Sequence, residues 1–174
     1  MNKTKNSTKA IIAVIVILII IIGVFAALNH NNSNQSGDSV TVKIGDNAET
    51  VYTIDDLKTM DNISTVHKTI KSGQKEDETG DFTGIALRDL LLQTVTEDEL
   101  TSYSAVTVTS GDGYATSYDI DEIMQPQNIM LIFEQDGNAL VPYTDGGSGP
   151  LRIVVMNDDF GTRSAMWVTG ITLE

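Results

Sequence analysis

The run Thr144-Asp145-Gly146-Gly147-Ser148-Gly149, followed by Pro150 and Arg152, is the stretch of this sequence best suited to chemistry. Successive backbone N–H groups that no side chain obstructs can cradle an anion, and a nearby arginine adds a bidentate clamp. Gly146, Gly147, Gly149 and Arg152 are therefore the candidate anion-binding residues. A plainer reading stands beside it. The glycines shape a tight connection, and Arg152 pairs with one of the many carboxylates. A glycine-rich loop alone does not decide between them.

Other reactive constellations are missing or weak. The chain has 0 cysteines, so no thiolate is available for a metal or for nucleophilic attack, and no disulfide framework exists. His67 shares its phase with Thr65 and Thr69, which places it on the polar side of an alternating segment. No serine sits in a recognisable nucleophile elbow. The carboxylate groups Asp119/Asp121/Glu122 and Asp158/Asp159 lack the D-x-D-x-D-G spacing of a calcium loop and read as solvated acidic surface. Tyr103, Tyr114, Tyr118 and Trp167 read as core or sheet-face aromatics.

The elements that must position these residues are short. Val40, Val42 and Ile44 alternate as a strand, with a turn at Gly45-Asp46-Asn47 and a second strand from Val51. Thr53-Ile54-Asp55-Asp56 forms a capping box that opens a helix through Leu57 and Met60. Ile63 to Lys71 alternates as a strand, and Ser72 to Asp81 reads as a charged surface loop. A helix is expected over Ile85 to Gln93, with Leu87, Leu90 and Leu91 as its buried stripe. Thr96 to Glu99 caps a further turn. Val106 and Val108 mark a strand whose hairpin partner spans Tyr114 to Tyr118, and a short helix follows to Met124, stopped by Pro126. Ile129 to Phe133 is a strand of the kind buried on both faces. Asp136-Gly137 predicts a hairpin. Leu151 to Met156 and Trp167 to Leu173 complete the strands. Many short strands with short helices between them indicate an α+β fold with mixed sheets.

Ahead of this domain, Ala10 to Leu28 is an uncharged apolar run long enough, at 1.5 Å per residue, to cross a hydrocarbon core of roughly 30 Å. Lys3, Lys5 and Lys9 precede it and no Lys or Arg follows before Lys43. That bias orients residues 1–9 to the cytoplasm and everything beyond Leu28 to the outside. A cleavable signal peptide competes with a retained anchor, because Val24-Phe25-Ala26 resembles a processing site. The length of the run favours the anchor. The organisation expected is a cytoplasmic tail (1–9), a transmembrane helix (10–28), a polar linker (29–39) and an extracytoplasmic domain (40–174), giving a single-pass cell-membrane protein. All 24 acidic residues lie beyond Leu28, and the formal net charge is −13. Charge of that sign argues against nucleic acid as a partner and against docking onto anionic lipid.

Four segments in order resemble the molybdopterin-binding domain of the sulfite oxidase family. Tyr52-Thr53-Ile54-Asp55-Asp56-Leu57 is similar to its strand-then-helix entry, and Phe82 to Leu91 resembles its aromatic-x-Gly-x-x-Leu-x-x-Leu-Leu helix. Ser110-Gly111-Asp112-Gly113-Tyr114 resembles its Asp-Gly-Tyr turn. Gly149-Pro150-Leu151-Arg152 and Trp167-Val168-Thr169-Gly170-Ile171 are similar to its last two strands. The resemblance implies molybdopterin as cofactor, oxo-transfer chemistry, and a glycine loop near the cofactor mouth. It also places the molybdenum-ligating cysteine where this chain has Lys71 or Ser72. Ser72 is thus a candidate ligand through its hydroxyl, whereas Lys71 would repel a metal. With no thiolate, the expectation is that no cofactor is held. The domain would then bind a small anionic ligand or a partner protein. The alternative is an oxidoreductase that keeps molybdopterin without a cysteine ligand.

Overall fold

Among the described residues the chain forms ten strands and four short α-helices. The computed structural model describes residues 38–45 and 48–174. The elements run β1 (Ser39–Ile44), β2 (Ala48–Thr53), α1 (Ile54–Lys58), β3 (Ile63–Ile70), β4 (Glu78–Ala86), α2 (Leu87–Leu91) and α3 (Glu97–Leu100). There follow β5 (Ala105–Ser110), β6 (Ala115–Asp119), α4 (Ile120–Met124), β7 (Ile129–Gln135), β8 (Asn138–Ala139), β9 (Arg152–Val155) and β10 (Val168–Leu173). The expected tail, anchor and most of the linker lie outside the described residues. Among those described, no helix is long and apolar enough to cross a membrane.

The strands form two mixed-order sheets. The first has the order β2-β1-β10-β5-β6, with β1 and β10 parallel and the other pairs antiparallel. The second runs β3-β4-β7, with β8 and β9 each pairing with β7, antiparallel throughout. One face of each sheet contributes to a shared core. Val40, Val42, Val106, Val108 and Ile171 come from the first sheet, and Ile85, Leu131, Phe133 and Ile153 from the second. Leu57, Leu90, Leu100 and Ile123 close the core from the helices, each fully buried or nearly so. Each such side chain contributes about 1.5–3 kcal/mol on leaving water.

Local chemistry sets the helix starts. The Thr53 hydroxyl accepts from the Asp56 N–H at 3.1 Å, while the Asp56 carboxylate accepts from the Thr53 N–H at 2.9 Å. Asp136 and Gly137 both take positive φ, 51° and 74°, which makes the tight β7–β8 hairpin. As expected, residues 129–133 are buried on both faces, because Met130 and Ile132 point into a second apolar cluster with Ile70, Phe82, Ala86, Leu140 and Val154.

Two expectations fail at β4. The segment read as surface loop to Asp81 already belongs to this strand from Glu78, and the expected helix over residues 85–93 shrinks to Leu87–Leu91. The reason is the sheet. Phe82 to Ala86 sit between β3 and β7, and Gly84 allows contact so close that a Cβ there would lie 2.1 Å from the Leu131 carbonyl oxygen. Tertiary pairing overrides the helical spacing of the leucines until Leu87.

Candidate functional site

The glycine loop begins where Pro142 bridges to Gly149. A single 3-10 turn, Tyr143–Asp145, ends at Gly146, which caps it with φ +84°. The loop's amides turn inward. Asp145 and Gly147 both donate to the Pro142 carbonyl at 3.0 Å, Gly146 donates to that of Tyr143, and Gly149 to that of Val141. Gly147 and Gly149 are required by contact with the β8–loop segment. A Cβ would lie 2.1 Å from the Val141 oxygen at the first and 2.4 Å from the Leu140 Cβ at the second. These four amides are committed to holding the loop's shape.

Arg152 lies opposite Ile132 in the β7–β9 register, so its side chain enters the second apolar cluster. It is only 3% exposed, and its guanidinium clasps Glu78 through both terminal nitrogens at 2.7 and 2.8 Å. The guanidinium carbon stands 5.8 Å from the Phe82 ring centroid. These hydrogen bonds hold the Glu78 carboxyl below its ordinary pKa. Arg152 Nε is buried with no partner. The structure therefore gives Arg152 a carboxylate from the start of β4 and not the loop's amides.

Ser72 sits at the far end of β3, apart from the glycine loop in its bonding. Its hydroxyl accepts from the N–H groups of Gln74 and Lys75 at 3.4 and 2.9 Å, and its own N–H donates to Asp77. Beside it, Lys71 donates to the Asp159 carboxylate at 2.9 Å and pairs through its backbone with the Asp159–Phe160 segment. The ion pair raises the Lys71 pKa and lowers that of Asp159. The 156–167 loop is fixed further by Arg163. That residue grips Asp158 at 2.7 and 2.8 Å and Glu122 of α4 at 2.8 and 3.0 Å. Two of the acidic residues read as surface thus converge on one guanidinium. Nothing in the sequence spacing pairs them, since they come from different elements. Tyr118 donates to the Arg163 carbonyl, and burial pushes its phenol pKa up. His67 pairs with exposed Asp81 across β3–β4, on the polar side where the alternation puts it.

An exposed aromatic end is the feature that sequence reasoning missed. Tyr143 stacks on Trp167, with centroids 5.4 Å apart and planes at 19°. Trp167 lies against Gly111, where a Cβ would meet the indole at 2.5 Å. The Trp167 backbone N–H donates to the Ser148 carbonyl, which stitches it to the glycine loop. Tyr114, from the same turn as Gly111, reaches the Thr162 carbonyl. Among the described residues six large apolar side chains are exposed, and five of them (Tyr114, Val141, Tyr143, Phe160 and Met166) lie on these mutually bonded segments. The available signal was Trp167 beside a glycine-containing strand, but alternation alone assigned it to the sheet face.

The family described as the oxidoreductase molybdopterin binding domain matches residues 30–174, and the chain belongs to it. Among solved structures, the chain is similar to the sulfane dehydrogenase SoxCD from Paracoccus pantotrophus, with a TM-score of 0.63 and 17% identity. The match covers 80% of this chain but 39% of that one, so the likeness is one of fold over part of the larger protein. No curated protein matches the chain.

Molybdopterin is the cofactor that the family's description names. Cysteine is lacking, and the position that the resemblance assigns to it holds a lysine paired with Asp159 and a serine whose hydroxyl closes its own turn. The amides of Asp145, Gly146, Gly147 and Gly149 and both terminal nitrogens of Arg152 are engaged within the fold. Among the described residues no group of three or more His, Cys, Asp or Glu could hold a metal ion. This donor set does not fit a protein-ligated molybdenum.

Proposed function

We propose that this chain is a membrane-tethered, extracytoplasmic member of the family that binds a partner protein and carries out no redox chemistry. The supporting observation is the contrast at the glycine-loop end. Groups that would hold an anionic cofactor are used as internal struts, while Tyr143 and Val141 of the loop and Met166 beside its stacking partner Trp167 are exposed. Exposed apolar side chains that adjoin one another mark interaction surfaces, whereas isolated ones do not. A small anionic ligand, the other expectation, finds less support, because Arg152 is already charge-matched by Glu78 and shielded from water. The tether rests on the apolar run Ala10–Leu28 and the lysines before it.

The test uses the full chain purified from its native membrane. Inductively coupled plasma mass spectrometry should find no stoichiometric molybdenum, and the protein should support no sulfite- or sulfoxide-linked electron transfer. Stoichiometric molybdenum that disappears in Ser72→Ala would overturn the reading in favour of an oxidoreductase with a serine ligand. Protease added to intact cells should remove the domain, and full protection would overturn the topology.

A further inference from the structure

We infer that the Tyr143–Trp167 end of the domain docks a cationic segment of its partner, with an arginine side chain lying on the solvent side of Tyr143 beside the carboxylates of Asp112 and Asp145. The inference rests on the partner-binding reading above and specifies the partner's chemistry.

Every described arginine is ion-paired, and so are Lys43, Lys58 and Lys71. Lys68 is bound to two backbone carbonyls. The domain has therefore used nearly all its positive charge internally, and a surplus of carboxylates faces outward. Asp145 belongs to the same 3-10 turn as Tyr143, and Asp112 follows Gly111, on which Trp167 rests. Both are exposed, and neither is matched by a cation of the domain. Positive charge at this rim has to be brought by whatever binds there. An acidic rim also repels a second copy of this domain and an anionic lipid surface.

The aromatic geometry selects the kind of cation. Tyr143 is 39% exposed while one face is covered by the indole of Trp167. An arginine guanidinium is planar, weakly hydrated and stacks on such a ring, which an ammonium does less well. Val141 and Met166, both exposed, flank the stack in sequence and offer apolar contact to neighbouring side chains of the segment. The stack is held in place before anything binds. Trp167 takes φ +50°, a conformation that bulky L-residues rarely adopt, and it is pinned by its N–H to Ser148 and by the Gly111 N–H to its carbonyl. Aromatic anchors held in place before binding, and the arginines that pack on them, are enriched at the energetic centre of interfaces.

Trp167 is the chain's single tryptophan, so its emission reads this surface directly. The full chain in non-ionic detergent micelles would be titrated with a synthetic peptide of alternating arginine and leucine, and with its counterpart carrying glutamate for arginine. The arginine peptide should change Trp167 emission saturably, and the glutamate peptide should not. Tyr143→Ala should weaken binding about ten-fold. The double variant Asp112→Asn, Asp145→Asn, which leaves the stack intact, should weaken it several-fold and flatten its salt dependence. Circular dichroism checks that each variant is folded. An absent response, an equal response to the glutamate peptide, or unchanged affinity in folded Tyr143→Ala refutes the inference. So does an emission shift on moving from micelles to phosphatidylcholine nanodiscs without any response to peptide, which assigns the surface to lipid. A shift that tracks chain concentration and dimerisation also refutes it. The metal analysis decides the underlying reading separately. A molybdenum-free chain that ignores the arginine peptide refutes only the cationic occupant, whereas a molybdenum-loaded chain refutes the reading beneath it.

Discussion

Replacing Glu78 by glutamine isolates one charge in the second apolar cluster. Arg152 is 3% exposed and pairs bidentately with Glu78, whose side chain is 37% exposed. Removing one member of a buried pair strands the other, typically at a cost of about 3–5 kcal/mol. Water can reach the Glu78 side of this pair, and a glutamine oxygen keeps one neutral acceptor, so the lower limit of about 3 kcal/mol is the expected loss. For a domain of this size that corresponds to roughly 10 °C in Tm. Arg152→Met removes the buried cation and leaves a carboxylate that water can solvate, so it should cost less, and the double variant should recover part of the Glu78→Gln loss. Thermal unfolding of the four proteins, followed by Trp167 fluorescence, measures all of this. The pH dependence supplies a check of sign. Glu78 has a folded pKa below its ordinary value, so its stabilisation is complete above the unfolded value. It is lost as pH falls through the folded one. Wild type should therefore lose stability more steeply than Glu78→Gln below about pH 4.5. A Glu78→Gln cost under about 1 kcal/mol, the range of an exposed pair, would show that the guanidinium is hydrated and refute the argument.

Arg163→Ala should release the 156–167 loop at a cost of about 2–3 kcal/mol, because two carboxylates lose a shared partner. Hydrogen exchange should rise at the Lys71 amide, whose acceptor is the Asp159 carbonyl, and Arg163→Lys should rescue only partly, since one ammonium cannot make four directed bonds. Gly147→Ala should destabilise by more than about 2 kcal/mol in urea unfolding, as its Cβ would lie 2.1 Å from the Val141 oxygen. Gly113→Ala meets nothing within 4 Å and should cost only about 1 kcal/mol, the price of its φ of +89°.

Locally encoded features were legible in the sequence. The Thr53–Asp56 capping box, the Asp136-Gly137 hairpin and the two-faced burial of residues 129–133 each depend on neighbours a few residues apart, and each appears where alternation and turn chemistry put it. The start of β4 was not legible, because Glu78, Gly80 and Asp81 have the composition of a loop. What makes them a strand is pairing with β3 and the ion pair from Glu78 to Arg152, distant in the chain. The glycine loop was recognisable as special, but its sequence could not say whether its amides faced outward or were consumed by Val141 to Tyr143. The Tyr143–Trp167 stack joins residues from separate loops, and neither carries a pattern that names the other.

The parallel pairing of β1 with β10 has a consequence for how the domain comes into being. β10 is the last strand in chain order, yet it lies in the middle of the first sheet, between β1 and β5. Until it arrives, β1–β2 and β5–β6 are separate two-stranded ribbons, which are marginal in water on their own. Closing so long a loop is entropically costly and is repaid only when β10 seals both ribbons at once. Assembly is therefore all-or-none and late. While Val168 to Leu173 are unpaired, the first sheet is two loose ribbons, so a change that weakens β10 should loosen strands on both of its sides together.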